Sequence, residues 1–129
     1  NNTKWFPYNY NSYTTDTFLS ENNFDNIDNY TIELYMGVKC HDSEREVPRL
    51  IKILDEIKFS DNKLKIYLLK QNKTSNSEFE IGKNITNTPT IIFYKDSLEI
   101  NRIVEFPVET LEKDIYKIIN DIEYRHVYY

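Results

Sequence analysis

Tyr30-Thr31-Ile32-Glu33-Leu34-Tyr35-Met36-Gly37-Val38-Lys39-Cys40-His41-Asp42-Ser43-Glu44-Arg45-Glu46-Val47-Pro48 joins a strand pattern to a helix pattern. Residues 31–36 carry β-branched and aromatic side chains with apolar character on both faces, which suits a central strand covered on both sides. After Cys40 the chemistry turns helical. Asp42 and Ser43 supply capping groups, and Glu44 and Glu46 place negative charge in the first turns. Val47, Leu50, Ile51, Leu54 and Ile57 follow the three-and-four spacing of one buried face. Pro48 removes a backbone N–H inside that helix and predicts a bend. Cys40, the single cysteine of the chain, stands at the junction. The unsatisfied N–H groups of a helix N-terminus favour a thiolate over a thiol, and the thiolate is the reactive species. A lone cysteine is more often an inert buried residue, so the position of this one carries the argument.

Outward from this stretch, Ser60-Asp61-Asn62 reads as a loop and Leu64–Leu69 as the next buried strand. Residues 71–77 form a polar loop, and residues 78–82 fit one or two helical turns stopped by Gly82. Thr90–Lys95 is a third strand, with a turn at Asp96-Ser97. Leu98–Val104 alternates well enough for a fourth, antiparallel strand. Residues 108–123 read as a final helix with Leu111, Ile115, Ile118, Ile119 and Ile122 on its apolar face. At the other end, residues 1–13 are polar with interleaved Trp5, Phe6, Tyr8, Tyr10 and Tyr13. Their Asn-rich composition disfavours regular structure, so an irregular arm with its aromatics packed on the domain surface is expected. A patch of those aromatics near Cys40 that helps to bind a partner is the functional alternative. Residues 14–21 suit a short helix capped by Thr or Asp. The organisation is thus an aromatic and Asn-rich arm with a short helix over 1–30, an α/β domain over 31–124, and a tail over 125–129. No internal repeat and no linker is visible.

The 129 residues make one domain. A formal charge of −5 argues against nucleic acid as a main partner, because phosphate binding needs clustered Lys and Arg. No run approaches the ~18 uninterrupted apolar residues of a membrane span. One cysteine excludes an internal disulfide framework but fixes no compartment. The sequence begins at Asn1 without a methionine, which leaves a cytoplasmic chain and a periplasmic or secreted form trimmed of a signal both open. Sequons begin at Asn1, Asn29, Asn72 and Asn84 and read as chance in so Asn-rich a chain.

The surroundings of Cys40 resemble the thioredoxin family. A strand ends just before the thiol, and Pro48 stands where the thioredoxin active-site helix carries its kink-inducing proline. Thr88-Pro89-Thr90-Ile91-Ile92-Phe93-Tyr94-Lys95 resembles the family's cis-proline loop and the central strand after it. The pattern Gly-x-x-Cys-x-Asp-Ser-x-Arg-Glu-Val-Pro, with the later Thr-Pro-Thr-Ile-Ile-Phe-Tyr-Lys, is closer still to a bacterial, monothiol, thioredoxin-like group. The order of elements from Thr31 to about Asn120 fits as well. The resemblance implies a thioredoxin-like α/β fold, a central mixed β-sheet flanked by helices.

It also implies a site. Cys40 aligns with the family's nucleophilic cysteine, and Ser43 stands where the resolving cysteine would be. Ser43 can donate a hydrogen bond to the thiolate but cannot take over a disulfide, so a mixed disulfide at Cys40 needs an outside thiol such as glutathione. Lys39 replaces the usual tryptophan, and its charge favours the thiolate. The family's buried aspartate is replaced by Leu34. Asp42 brings a negative charge within a turn of Cys40 and opposes the thiolate, against Lys39, the helix N-terminus and a protonated His41; sequence alone leaves the balance open. His41 is a general base, a charge partner of the thiol or a substrate contact, or else a solvent-facing ring. Thr88 and Pro89 imply a backbone docking edge for an extended peptide beside the thiol. Glu105 falls where the fold brings another loop near the site. Cys40, His41 and Asp42 are adjacent and do not converge on one ion, so no metal site is expected. The functions implied are thiol–disulfide exchange or deglutathionylation through Cys40 on protein or peptide thiols and disulfides, without a resident cofactor. The alternative is a non-catalytic peptide- or protein-binding module of the same fold.

Overall fold

Residues 5–37, 40–69 and 82–129 are described by the structure, a computed structural model. The element order is α1 (Trp5–Ser12), α2 (Phe18–Glu21), β1 (Thr31–Gly37), α3 (His41–Glu56), β2 (Leu64–Leu69), β3 (Thr90–Lys95), β4 (Leu98–Val104) and α4 (Leu111–Ile119). The four strands form one mixed sheet in the order β2-β1-β3-β4. β1 runs parallel to β2 and antiparallel to β3, and β3 pairs antiparallel with β4. The β3–β4 turn has positive φ at both Asp96 and Ser97, the backbone that matches the twist of a two-residue hairpin.

Strand alternation divides β1 between two environments. Ile32, Leu34 and Met36 enter the main core with Val47, Leu50, Ile53 and Leu54 of α3 and Leu111, Ile115, Ile118 and Ile119 of α4. Tyr35 lies on the opposite face in a smaller cluster with Leu69 and Ile92. Glu33 shares that face and accepts hydrogen bonds from the Tyr35 and Tyr94 hydroxyls at 3.0 and 2.9 Å. Leu34 is fully buried.

The N-terminal stretch departs from the expected irregular arm: residues 5–12 are helical. The reason is tertiary. Helix α1 lies along α3, with Trp5, Phe6 and Tyr13 packed against the main core. Lys52 of α3 donates to the carbonyls of Tyr10 and Tyr13 at 3.0 and 2.6 Å, a cation at the negative end of α1. Packing and this cap outweigh the weak propensity of Asn and Tyr. The second N-terminal helix is shorter than the expected 14–21 and covers four residues, packed on α4.

Three further readings are corrected. β2 is an edge strand and not a buried one: Ile66 and Leu68 are 48% and 52% exposed. They pair with Leu34 and Met36, so they lie on the main core side of the sheet, on a strand with no described neighbour beyond it. On α3 the deeper residue is Ile53, and Ile51 is only partly buried. The last helix begins after Thr110 rather than at Val108, because Asp114 takes the N–H groups of Val108 and Glu109 at 2.6 and 3.1 Å. It stops at Ile119, with Asp121 at positive φ, which leaves Ile122 exposed. The loop and helical turns expected over 71–82 lie outside the described residues except for Gly82, whose φ is positive. No described helix is long and apolar enough to cross a membrane.

Candidate functional site

Cys40 is the N-cap residue of α3, in extended conformation, and is partly exposed. Its sulfur lies 3.3 Å from the Thr88 carbonyl, to which the thiol donates. The Thr88–Pro89 peptide bond is cis. The site therefore joins two elements distant in sequence: the first turn of α3, and the loop that feeds β3.

Gly37 makes this approach possible. A Cβ at Gly37 would stand 3.0 Å from the Cys40 Cβ and 3.1 Å from the Thr88 Oγ1, tighter than ordinary side-chain contacts. The Gly37 N–H also donates to Ser43 Oγ at 3.1 Å. Ser43 is completely buried, so its hydroxyl ties the end of β1 to the first turn of α3. In the sequence Gly37 figures only as the first residue of the Gly-x-x-Cys pattern; the need for a glycine there arises where β1 meets the Thr88 loop.

Burial pushes the Cys40 thiol up, but hydrogen bonds favour the thiolate by more. They come from the Thr88 side chain, from the backbone and side chain of Ser43, and from the Asp42 backbone, and the net effect holds the thiol below its ordinary value. The Asp42 carboxylate, expected to oppose the thiolate, pairs with Arg45 at 2.5 Å. Ser43 thus has both roles open to a hydroxyl, as acceptor from Gly37 and as a thiolate-stabilising group.

His41 is exposed and lines a cleft of about 490 Å³ between α1 and α3, together with Asn9, Tyr13, Arg45 and Arg49. Lys39 lies outside the described residues. Glu105 is brought to the loop of Pro89: its N–H donates to the Pro89 carbonyl at 2.7 Å, and its Oε2 accepts from Asn87 Nδ2 at 3.3 Å. Its φ is positive, which turns the chain sharply after β4. Phe106, next in sequence, is exposed. Among the described residues no group of three or more His, Cys, Asp or Glu side chains is arranged to hold a metal ion.

Solved structures share this fold across most of the chain. A thioredoxin from Fasciola hepatica shares 16% identity, covers 77% of this chain and 86% of its own, and superposes with a TM-score of 0.50. The fold is thioredoxin-like. A structure solved for the thiol resolving mechanism in yeast mitochondrial 1-Cys peroxiredoxin via glutathione/thioredoxin systems is 21% identical. It covers 88% of this chain and 98% of its own, also at a TM-score of 0.50. No protein-family model matches the sequence, and no curated protein sequence matches it. In the thioredoxin-like frame, Cys40 occupies the strand-to-helix junction opposite the Pro89 loop, and Ser43 stands one helical turn further on.

Proposed function

We propose that this chain carries out monothiol thiol–disulfide exchange through Cys40, with deglutathionylation as its form of turnover. The observation that carries the reading is the Cys40 sulfur at the N-terminus of α3, 3.3 Å from the Thr88 carbonyl, with its thiol below the ordinary value. The thiolate attacks the glutathionyl sulfur of a protein–glutathione disulfide. The S–S bond breaks, the protein leaves as a thiolate that takes up a proton, and Cys40 becomes a glutathione mixed disulfide. A second glutathione thiolate then attacks the glutathionyl sulfur, frees the Cys40 thiolate, and leaves as glutathione disulfide. Ser43 supports the thiolate but has no sulfur to resolve the adduct, so glutathione acts as an external reactant. Lys39, the residue before Cys40 in sequence, contributes a positive charge, and His41 faces incoming substrate. The Thr88 and Pro89 backbone docks the substrate chain in extended form.

The turnover test compares wild type, Cys40→Ser and Ser43→Cys with glutathione as reductant. Glutathione-dependent reduction of a small glutathionylated substrate is expected in wild type and absent in Cys40→Ser. Reduction of insulin-type disulfides is expected to be weak in wild type, because no neighbouring thiol attacks at high effective concentration. Ser43→Cys is expected to raise it. Strong disulfide reduction by wild type contradicts the monothiol reading. A second reading, a peptide-binding module without turnover, is favoured by the docking edge itself, since Thr88, Pro89, Glu105 and the exposed Phe106 persist whatever the thiol does. Binding of an extended peptide by Cys40→Ser, with no turnover in wild type, would select it.

A further inference from the structure

The chain beyond α4 is anchored and then turned back toward the site. Tyr124 is buried; its hydroxyl donates to Asp114 at 2.6 Å, and its carbonyl accepts from Asn101 at 2.9 Å. The next residues form a tight turn. The Tyr128 N–H donates to His126 Nδ1 at 3.2 Å, and the Tyr129 N–H donates to the His126 carbonyl at 3.0 Å. The Arg125 guanidinium lies over the Tyr129 ring, 4.7 Å from its centroid.

This turn delivers the Tyr128 hydroxyl to Glu105 Oε1, to which it donates. Glu105 is the residue whose N–H is bonded to the Pro89 carbonyl and whose other oxygen takes Asn87. The hydrogen bond to Glu105 first, and burial after it, hold the Tyr128 phenol above its ordinary range. Through Glu105, Tyr128 is tied to the Pro89 loop, whose Thr88 carbonyl meets the Cys40 thiol. The contact is shallow, because Tyr128 keeps 51% of its surface exposed. One hydrogen bond to a carboxylate, on a side chain half in water, makes a seat that can be vacated.

We propose that residues 125–129 form a displaceable strap: Tyr128 occupies the docking groove beside Cys40, and a partner's N–H or O–H group takes over Glu105 when the strap leaves. The groove is taken from the function proposed above. An intramolecular occupant lowers apparent reactivity toward bulky reactants by the fraction of chains in which the groove is covered. A small reagent that reaches the sulfur past the strap is not affected.

Alkylation of Cys40 tests this without relying on redox turnover. Iodoacetamide serves as the small reagent and a polyethylene-glycol maleimide as the bulky one. Wild type, Tyr128→Ala, Tyr128→Phe and Tyr129→Ala are compared. The bulky-to-small rate ratio is expected to rise about fivefold in Tyr128→Ala, a factor equivalent to about 1 kcal/mol. Tyr128→Phe, which keeps the ring and loses the hydrogen bond, is expected to show most of that rise, and Tyr129→Ala none. Equal ratios in wild type and Tyr128→Ala overturn the strap; a wild-type ratio in Tyr128→Phe overturns the role of Glu105. Glutathione disulfide provides the separate arm. A raised ratio without any glutathione adduct keeps the strap and overturns exchange chemistry. An adduct with an unchanged ratio keeps the chemistry and overturns the strap.

Discussion

A sulfur half withdrawn from water resists ionisation, so a low thiol pKa at Cys40 has to come from its neighbours. The Thr88 side chain is the largest favourable contributor, followed by groups of Ser43 and Asp42. Thr88→Val keeps the volume and the backbone carbonyl but removes the hydroxyl. The burial penalty then stands with less opposition, and the thiol pKa is expected to rise. The midpoint of the alkylation rate against pH should move upward from wild type, with a smaller thiolate fraction at neutral pH. Linkage gives the same sign. A thiol lowered on folding contributes stability that is present above its unfolded value of ~8.5 and is lost as pH falls through the folded value. Thr88→Val should therefore lose stability chiefly on the alkaline side. An unchanged midpoint would remove Thr88 from this role. At this scale the sequence was informative about Cys40, Ser43, Thr88 and Pro89, because each sits in a short local pattern. Gly37 and Tyr128 were not legible, since their importance arises only when β1, the Pro89 loop and the residues after α4 meet.

Among the elements, α1 and α3 depend on one another. Pro48 has no N–H to give to the carbonyl four residues earlier, that of Glu44. Asn9 of α1 donates to that carbonyl instead, at 2.9 Å. Asn9→Ala is expected to cost about 1 kcal/mol by leaving the acceptor without its protein partner. In a Pro48→Ala background the restored N–H can reach the same carbonyl, so the cost should shrink, and a double-mutant cycle by denaturant unfolding measures the difference. Equal costs in both backgrounds would contradict the coupling. This pairing explains why the N-terminal helix escaped a sequence reading: its partner group exists only because a proline sits in another helix.

The start of α4 rests in the same way on Asp114, which accepts from Val108, Glu109 and Tyr124. Asp114→Ala is expected to destabilise the fold by about 3 kcal/mol through the loss of those bonds. Burial holds its carboxyl above the ordinary range against the pull of these donors. Its titration therefore contributes stability that is present below the unfolded carboxyl pKa and declines as pH rises through the folded one. The variant should lack that decline in its stability–pH profile; an unaltered profile would assign the effect to another group. The interior strands β1 and β3 and the β3–β4 hairpin were legible because period and turn chemistry agree there. β2 misled because an apolar run does not distinguish a central strand from an edge strand.

For the molecule as a whole, the account comes down to one thiol. The fold places it at a helix N-terminus and against the Thr88–Pro89 loop, and the sequence provides no second cysteine to resolve what it forms. The most direct measurement is intact mass after incubation with glutathione disulfide, with Cys40→Ser as control. A single glutathionyl adduct is predicted on wild type, none on Cys40→Ser, and full reversal on adding reduced glutathione. No adduct on Cys40, under conditions that modify a free cysteine peptide, would contradict the exchange mechanism.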